Sequence, residues 1–221
     1  MNNNILSSKL MVIVDGIWKI VLSQLLLVIT NPLLAFSVTF VPVTASNVVI
    51  LIFLSVTLLP SLSALYGAFA HSDGDWQTLW HEFFRRYRRD WRETWRVGVA
   101  FTLALALLVY DWLFIALNPR YTGFLFLLLP VLSVVFLMLF YTAYMIAGFQ
   151  GSVRNHLHNA LYLTFHHVFS NILFLAVVIG LVLITKATNF PVLQLVTAGL
   201  IGWFSYLRLS RLVTKAQQAQ S

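Results

Sequence analysis

Six histidines and seven acidic residues supply the acid–base and metal-binding chemistry open to this chain of 221 residues, which has no cysteine. Four of the histidines, His156, His158, His166 and His167, fall close together in sequence. A metal site needs three or four ligands around one ion. On a helix His156 and His167 point the same way but stand about 16 Å apart at 1.5 Å per residue, and His158 and His166 point elsewhere. Polar residues at the level of lipid headgroups are the plainer account, and no metal site is assigned. There is no thiolate, no HExxH, no GxSxG and no glycine-rich phosphate loop. No catalytic residue or cofactor follows, and the chain is not expected to be an enzyme.

A second set of residues interrupts apolar sequence. Asp111 is the sole deep carboxylate, and Asn31-Pro32, Pro60 and Pro130 can break helices. Intramembrane charges mark ion pathways, and broken helices form substrate sites in secondary transporters. Asn31, Pro60, Asp111 and Pro130 are therefore the candidate intramembrane polar site. The plainer reading is a set of ordinary kinks, with Asp111 near the outer interface between Tyr110 and Trp112.

A third set is the run His71–Arg96, HSDGDWQTLWHEFFRRYRRDWRETWR. Asp73-Gly74-Asp75 reads as a turn with Asp75 as helix cap. Trp76, Trp80, Phe83, Phe84, Tyr87, Trp91 and Trp95 then recur at steps of three and four, which makes one aromatic face. Arg85, Arg88, Arg89, Arg92 and Arg96 lie on the other side. Glu82–Arg86, Arg86–Asp90 and Arg89–Glu93 have the i,i+4 spacing of helical ion pairs. The expected element is an amphipathic helix over about 76–95, aromatic face toward the bilayer and arginines at headgroup level. Trp76, Trp80, Arg85, Arg88, Arg89 and Arg92 are the candidate contacts for a partner or for anionic headgroups. Nucleic acid is not an expected partner, because the bilayer should cover the aromatics.

The elements that carry these residues follow from composition. The chain is 60% hydrophobic and 10% charged, against about 25% charged for a soluble domain. That excludes an ordinary soluble enzyme, a disordered chain and a collagen-like fibre. Six apolar stretches approach the roughly 20 residues that cross a bilayer: Ile17 to about Phe40, about Asn47 to Phe69, Val97–Leu117, about Thr122 to Phe149, about Phe169 to Thr185, and Pro191–Leu207. They are too continuous for barrel strands, which alternate apolar and polar residues. Of the 14 Lys and Arg residues, only Arg120 and Lys186 fall outside if the N-terminus is inside. The expected fold is an all-α bundle, one domain over 1–221, with six spans and both termini cytoplasmic. Gln150–Asn171 repeats the amphipathic pattern faintly, with Leu157, Leu161, Phe165 and Phe169 on one face, as in a diverged repeat of hairpin plus interfacial helix.

The stretch Pro60-Ser61-Leu62-Ser63-Ala64-Leu65-Tyr66, then Trp80-His81-Glu82-Phe83-Phe84 and the arginine/aromatic helix, resembles the YesL-like family of small bacterial membrane proteins. That family shows a Pro-x-x-x-Ala-Leu-aromatic pattern ending the second span, then Phe-Phe and a basic-aromatic segment. Trp18 and Asn159-Ala160 also fit, whereas Asp15-Gly16-Ile17-Trp18 stands where an Asn-leading pattern is common. The resemblance implies a multi-pass protein of the bacterial cell membrane. It also implies an accessory or regulatory role in carbohydrate uptake, because members are often encoded beside sugar ABC-transport genes. The expected partners are membrane lipids, anionic headgroups included, and an ABC-transporter permease or other membrane protein, with a homo-oligomer also compatible. The alternative is a small transporter or lipid-handling protein with its site near the prolines.

Overall fold

The computed structural model describes residues 3–41, 44–71, 76–188 and 191–218, with side chains from residue 14 onward except at 119, 186, 191–195 and 215–218. The elements are α1 (Asn3–Thr30), α2 (Pro32–Phe40), α3 (Val48–Leu54), α4 (Leu58–His71), α5 (Trp76–Leu117), α6 (Leu125–Gly148), α7 (Val153–His166), α8 (Val168–Thr188) and α9 (Pro191–Gln218). Short 3-10 turns at Ser55–Thr57 and Pro119–Phe124 join α3 to α4 and α5 to α6. The described residues contain no strand, as the continuous apolar runs require. The expected Asp73–Asp75 turn lies outside the described residues, as do the side chains of Lys9, Lys186 and Lys215.

Among the described residues four helical segments are long and apolar enough to cross a membrane: Val48–His71, Trp76–Leu117, Arg120–Gly148 and Val168–Thr185. Val14–Thr30 with Pro32–Phe40 makes a fifth only as a pair bent by 105°. The span expected over 17–40 is thereby corrected to at most a broken one, with the break at the Asn31-Pro32 step already read as able to break a helix. Pro32 has no N–H to continue α1 and excludes helical backbone from the residue before it, so Asn31 sits at φ −132°, ψ 54°. The described part of α9 does not join the four, because Arg208 and Arg211 occupy its later turns.

A second correction concerns α5. The interfacial helix expected over 76–95 and the span expected over 97–117 are one unbroken helix of 42 residues, about 63 Å long at 1.5 Å per residue. Pairings of Gly67 with Arg86 and of Val56 with Gly98 set α4 antiparallel to its arginine-rich half. Every residue from Leu59 to Phe69 is buried. The apolar window of Val48–His71 is 39% buried, against 17–22% for the other three segments. The apolarity of α4 is thus largely satisfied by protein, which composition could not distinguish from lipid. The apolar half of α5, α6 and α8 instead present Leu107, Leu117, Phe126, Leu127, Phe169 and Leu173 outward. Apolar surface on that scale is tolerated in hydrocarbon and not in water.

The core runs through α1, α4, α6, α8 and α9 around Leu26, Leu65, Tyr66, Tyr141, Phe174 and Leu209, with Phe83 entering from α5. Proline effects are local. Pro130 leaves α6 continuous, because its ring stands within the first two turns and only the Phe126 carbonyl loses its partner. Pro60 stands in the first turn of α4, just after the 3-10 turn Ser55–Thr57.

Candidate functional site

The basic half of α5 is built from the inside out. Leu79, Phe83 and Arg86 are buried on its inner side. Trp80, Phe84 and Tyr87 pack against the core at the margins. Phe83 and Tyr87 stack at 5.9 Å, and Trp80 meets Phe84 at 5.0 Å. The aromatic face therefore lies largely on protein, not on lipid as expected from its pattern. Trp76 and Trp95 are the outward exceptions, at 50% and 41% exposure.

The arginines divide into paired and unpaired sets. Arg85 Nη2 donates to Glu82 Oε2 at 2.6 Å, and Arg89 grips Asp90 through two bonds of 2.7 and 2.9 Å. The expected Glu82–Arg86 pair forms at 3.4 Å, but Arg86–Asp90 and Arg89–Glu93 do not. Arg86 turns inward beneath Gly67, and its Nη1 donates to the Ala147 carbonyl at 3.2 Å. A cation there completes the C-terminal end of α6. Arg88, Arg92 and Arg96 are exposed and have no ion-pair or hydrogen-bond partner among the described residues. They follow one another at four-residue steps.

Two hollows open along this half. Trp80, His81, Phe84, Arg85, Arg88 and Arg89 line one of about 840 Å³. Arg92 lines the mouth of a second, of about 830 Å³, between α5, α6 and α7. Of the sequence-predicted contact residues, Trp80, Arg85, Arg88 and Arg89 thus come together, Arg92 belongs to the neighbouring groove, and Trp76 lines neither.

The proposed polar site of Asn31, Pro60, Asp111 and Pro130 does not come together as a set. Asn31 is 5% exposed. Its amide nitrogen stands 2.9 Å from both the Leu27 carbonyl and Ser61 Oγ, and its Oδ1 accepts from Thr57 Oγ1 at 2.6 Å. Ser61, beside Pro60, donates to the Thr57 carbonyl at 2.7 Å. These bonds satisfy the Asn31 side chain buried at the α1–α2 bend, and the hollow beside it is about 120 Å³. Asp111 and Pro130 are exposed on the outer faces of α5 and α6.

A polar cluster that the sequence pattern did not single out joins α6, α8 and α9. Arg208 Nε donates to Ser170 Oγ and its Nη2 to Tyr141 OH, both at 3.1 Å, and Nη2 also bonds Asn171 Oδ1. Its guanidinium lies 4.8 Å from the Phe174 ring centroid. Asn171 Nδ2 donates to the Thr164 carbonyl at 2.7 Å, which ties α7 to the same cluster. The only sequence signal for it is a polar Asn at the start of an apolar run. Nearby, Nε2 of His167 is buried without a partner among the described residues. Burial, then His166, then Arg208 hold the His167 imidazole below its ordinary pKa.

Among the described residues no three His, Asp or Glu side chains converge as metal ligands. His156 is buried on the inner line of α7 with Ala160, Leu163 and Thr164. Leu161, Phe165 and Phe169 face outward. The two segments read as a repeat thus use their apolar stripes differently, one mainly against protein and one outward. No family model, curated protein or solved structure matches the chain.

Proposed function

We propose that this is a non-enzymatic accessory protein of the bacterial cell membrane that engages an acidic cytoplasmic face of a membrane partner. In this reading α1–α2 and α9 complete six spans, with both termini cytoplasmic, and the basic half of α5 projects into the cytoplasm. The observation that carries it is the hollow formed by Trp80, His81, Phe84, Arg85, Arg88 and Arg89. Aromatic and arginine side chains gathered in one concavity are the composition of protein-binding hot spots. Its floor is held from behind by Leu79 and Phe83, so the surface is presented on a rigid support. The YesL-like resemblance supports an ABC-transporter permease as that partner, with a role in carbohydrate uptake.

The test is copurification of the full chain in native nanodiscs, followed by mass spectrometry. The triple variant Arg85→Glu/Arg88→Glu/Arg89→Glu is expected to insert normally and to lose the partner. Retention of every partner by that variant overturns the reading.

A further inference from the structure

The groove beside the partner hollow has a different chemistry. It holds about 830 Å³ and runs between α5, α6 and α7. Its shaft is apolar, formed by Val97, Phe101 and Ala104 of α5, Val135 and Met138 of α6, and Leu157 of α7. Arg92, Glu93 and Arg96 form its mouth. Along α5 the lining passes from charged to wholly apolar at Val97, within one helical turn. This is the profile of the boundary between headgroups and hydrocarbon.

We propose that this groove binds one anionic phospholipid, with its phosphate between Arg92 and Arg96 and an acyl chain along the shaft toward Ala104. Charge complementarity selects this occupant. The arginines that precede the groove are partly neutralised by Glu82 and Asp90, whereas Arg92 and Arg96 form no ion pair among the described residues and, with Glu93 between them, leave the mouth net positive. Two guanidinium groups one turn apart, about 6 Å along the axis, can share one phosphate. Glu93 on the same rim accepts hydrogen bonds and donates none, which suits a headgroup that carries hydroxyls beside its phosphate. A soluble anion would use the mouth and leave the apolar shaft in water. An uncharged lipid would fill the shaft and leave both arginines unpaired. The lining shares no residue with the partner hollow, so the site stands or falls independently of the proposed partner.

The experiment offers the full-length protein in mild detergent a mixture of phosphatidylglycerol and phosphatidylcholine and counts retained lipids by native mass spectrometry. One phosphatidylglycerol is expected to be retained in preference to phosphatidylcholine. Arg92→Gln/Arg96→Gln is expected to lower its retention at least about tenfold, the scale of one charge-assisted hydrogen bond. Arg85→Gln/Arg89→Gln, which removes the same charge, is expected to leave retention within about twofold, inside the spread of a screened surface charge. Ala104→Phe, which fills the shaft, is expected to release the lipid with both arginines present. Unchanged retention in Arg92→Gln/Arg96→Gln overturns the proposal. So does competition by glycerophosphoglycerol or inorganic phosphate as effective as that of the intact lipid, which would make the site one for a soluble anion. A shift of oligomeric state in Ala104→Phe without lipid release would make the groove an interface between copies and overturn it as well. If a variant loses its monodisperse form, the wild-type comparison of intact lipid with deacylated headgroup decides alone.

Discussion

Pro60 cannot donate a backbone N–H, so the carbonyl four residues earlier, on Val56, loses its helical partner. That carbonyl faces Gly98 of α5, where an added Cβ would stand 2.6 Å from it. The missing side chain lets α5 approach, and the Cα–H of Gly98 supplies a weak donor. Gly98→Ala is expected to destabilise the protein by about 1–3 kcal/mol through forced backbone separation. Gly148→Ala, where nothing lies within 4 Å, serves as the control. Thermal unfolding in one detergent measures both. Arg86 makes a similar point through charge. Arg86→Met keeps the buried stem but removes the cation from the Ala147 carbonyl, and is expected to cost about 1–3 kcal/mol. Arg88→Met, exposed and unpaired, is expected to change the melting temperature little. Pro60, Gly98 and Arg86 are each visible in the sequence. Their pairings are not, because they depend on how helices about 20 to 60 positions apart in sequence pack together.

At the level of elements, helices and their apolar stretches were legible because period and composition report burial from water. What they do not report is whether lipid or protein does the burying. That is why composition marks Val48–His71 as a membrane-length segment without showing that α5 and its neighbours enclose its α4 part, and why the aromatic stripe of α5 reads as a membrane face. The continuity of α5 had a signal that the pattern obscured: no proline falls between Trp76 and Leu117. The joint between α7 and α8 carries a pH dependence. The folded state holds His167 below the ordinary imidazole value of about 6.5, so in that range the unfolded chain binds the extra proton. The contribution to stability is therefore full above about pH 6.5 and lost as pH falls below it. Melting temperatures at about pH 8 and about pH 5 are expected to differ less in His167→Gln than in the wild type. An equal difference in both would place the effect elsewhere.

For the whole molecule, the absence of native cysteine makes orientation directly measurable. In the proposed topology, Arg89→Cys is shielded from a membrane-impermeant maleimide in intact cells, and Asn118→Cys is labelled. Labelling of Arg89→Cys alone would reverse the assignment of sides, labelling of both would overturn the proposed topology, and either would remove the basic surface from the cytoplasm. The candidate site was half legible by the same logic. The arginines of α5 stood out as a cluster, but only the packing of the helices separates Arg85, Arg88 and Arg89 beside the hollow from Arg92 and Arg96 at the groove. The unbroken course of α5 has a mechanical consequence. A helix bonded along its full length transmits tilt and twist with little loss, whereas two helices joined by a loop would absorb them. A force applied at Arg85 would thus act through a lever whose far arm reaches Leu117, and the groove lined by Arg92, Arg96 and Val97 lies near the middle of its length.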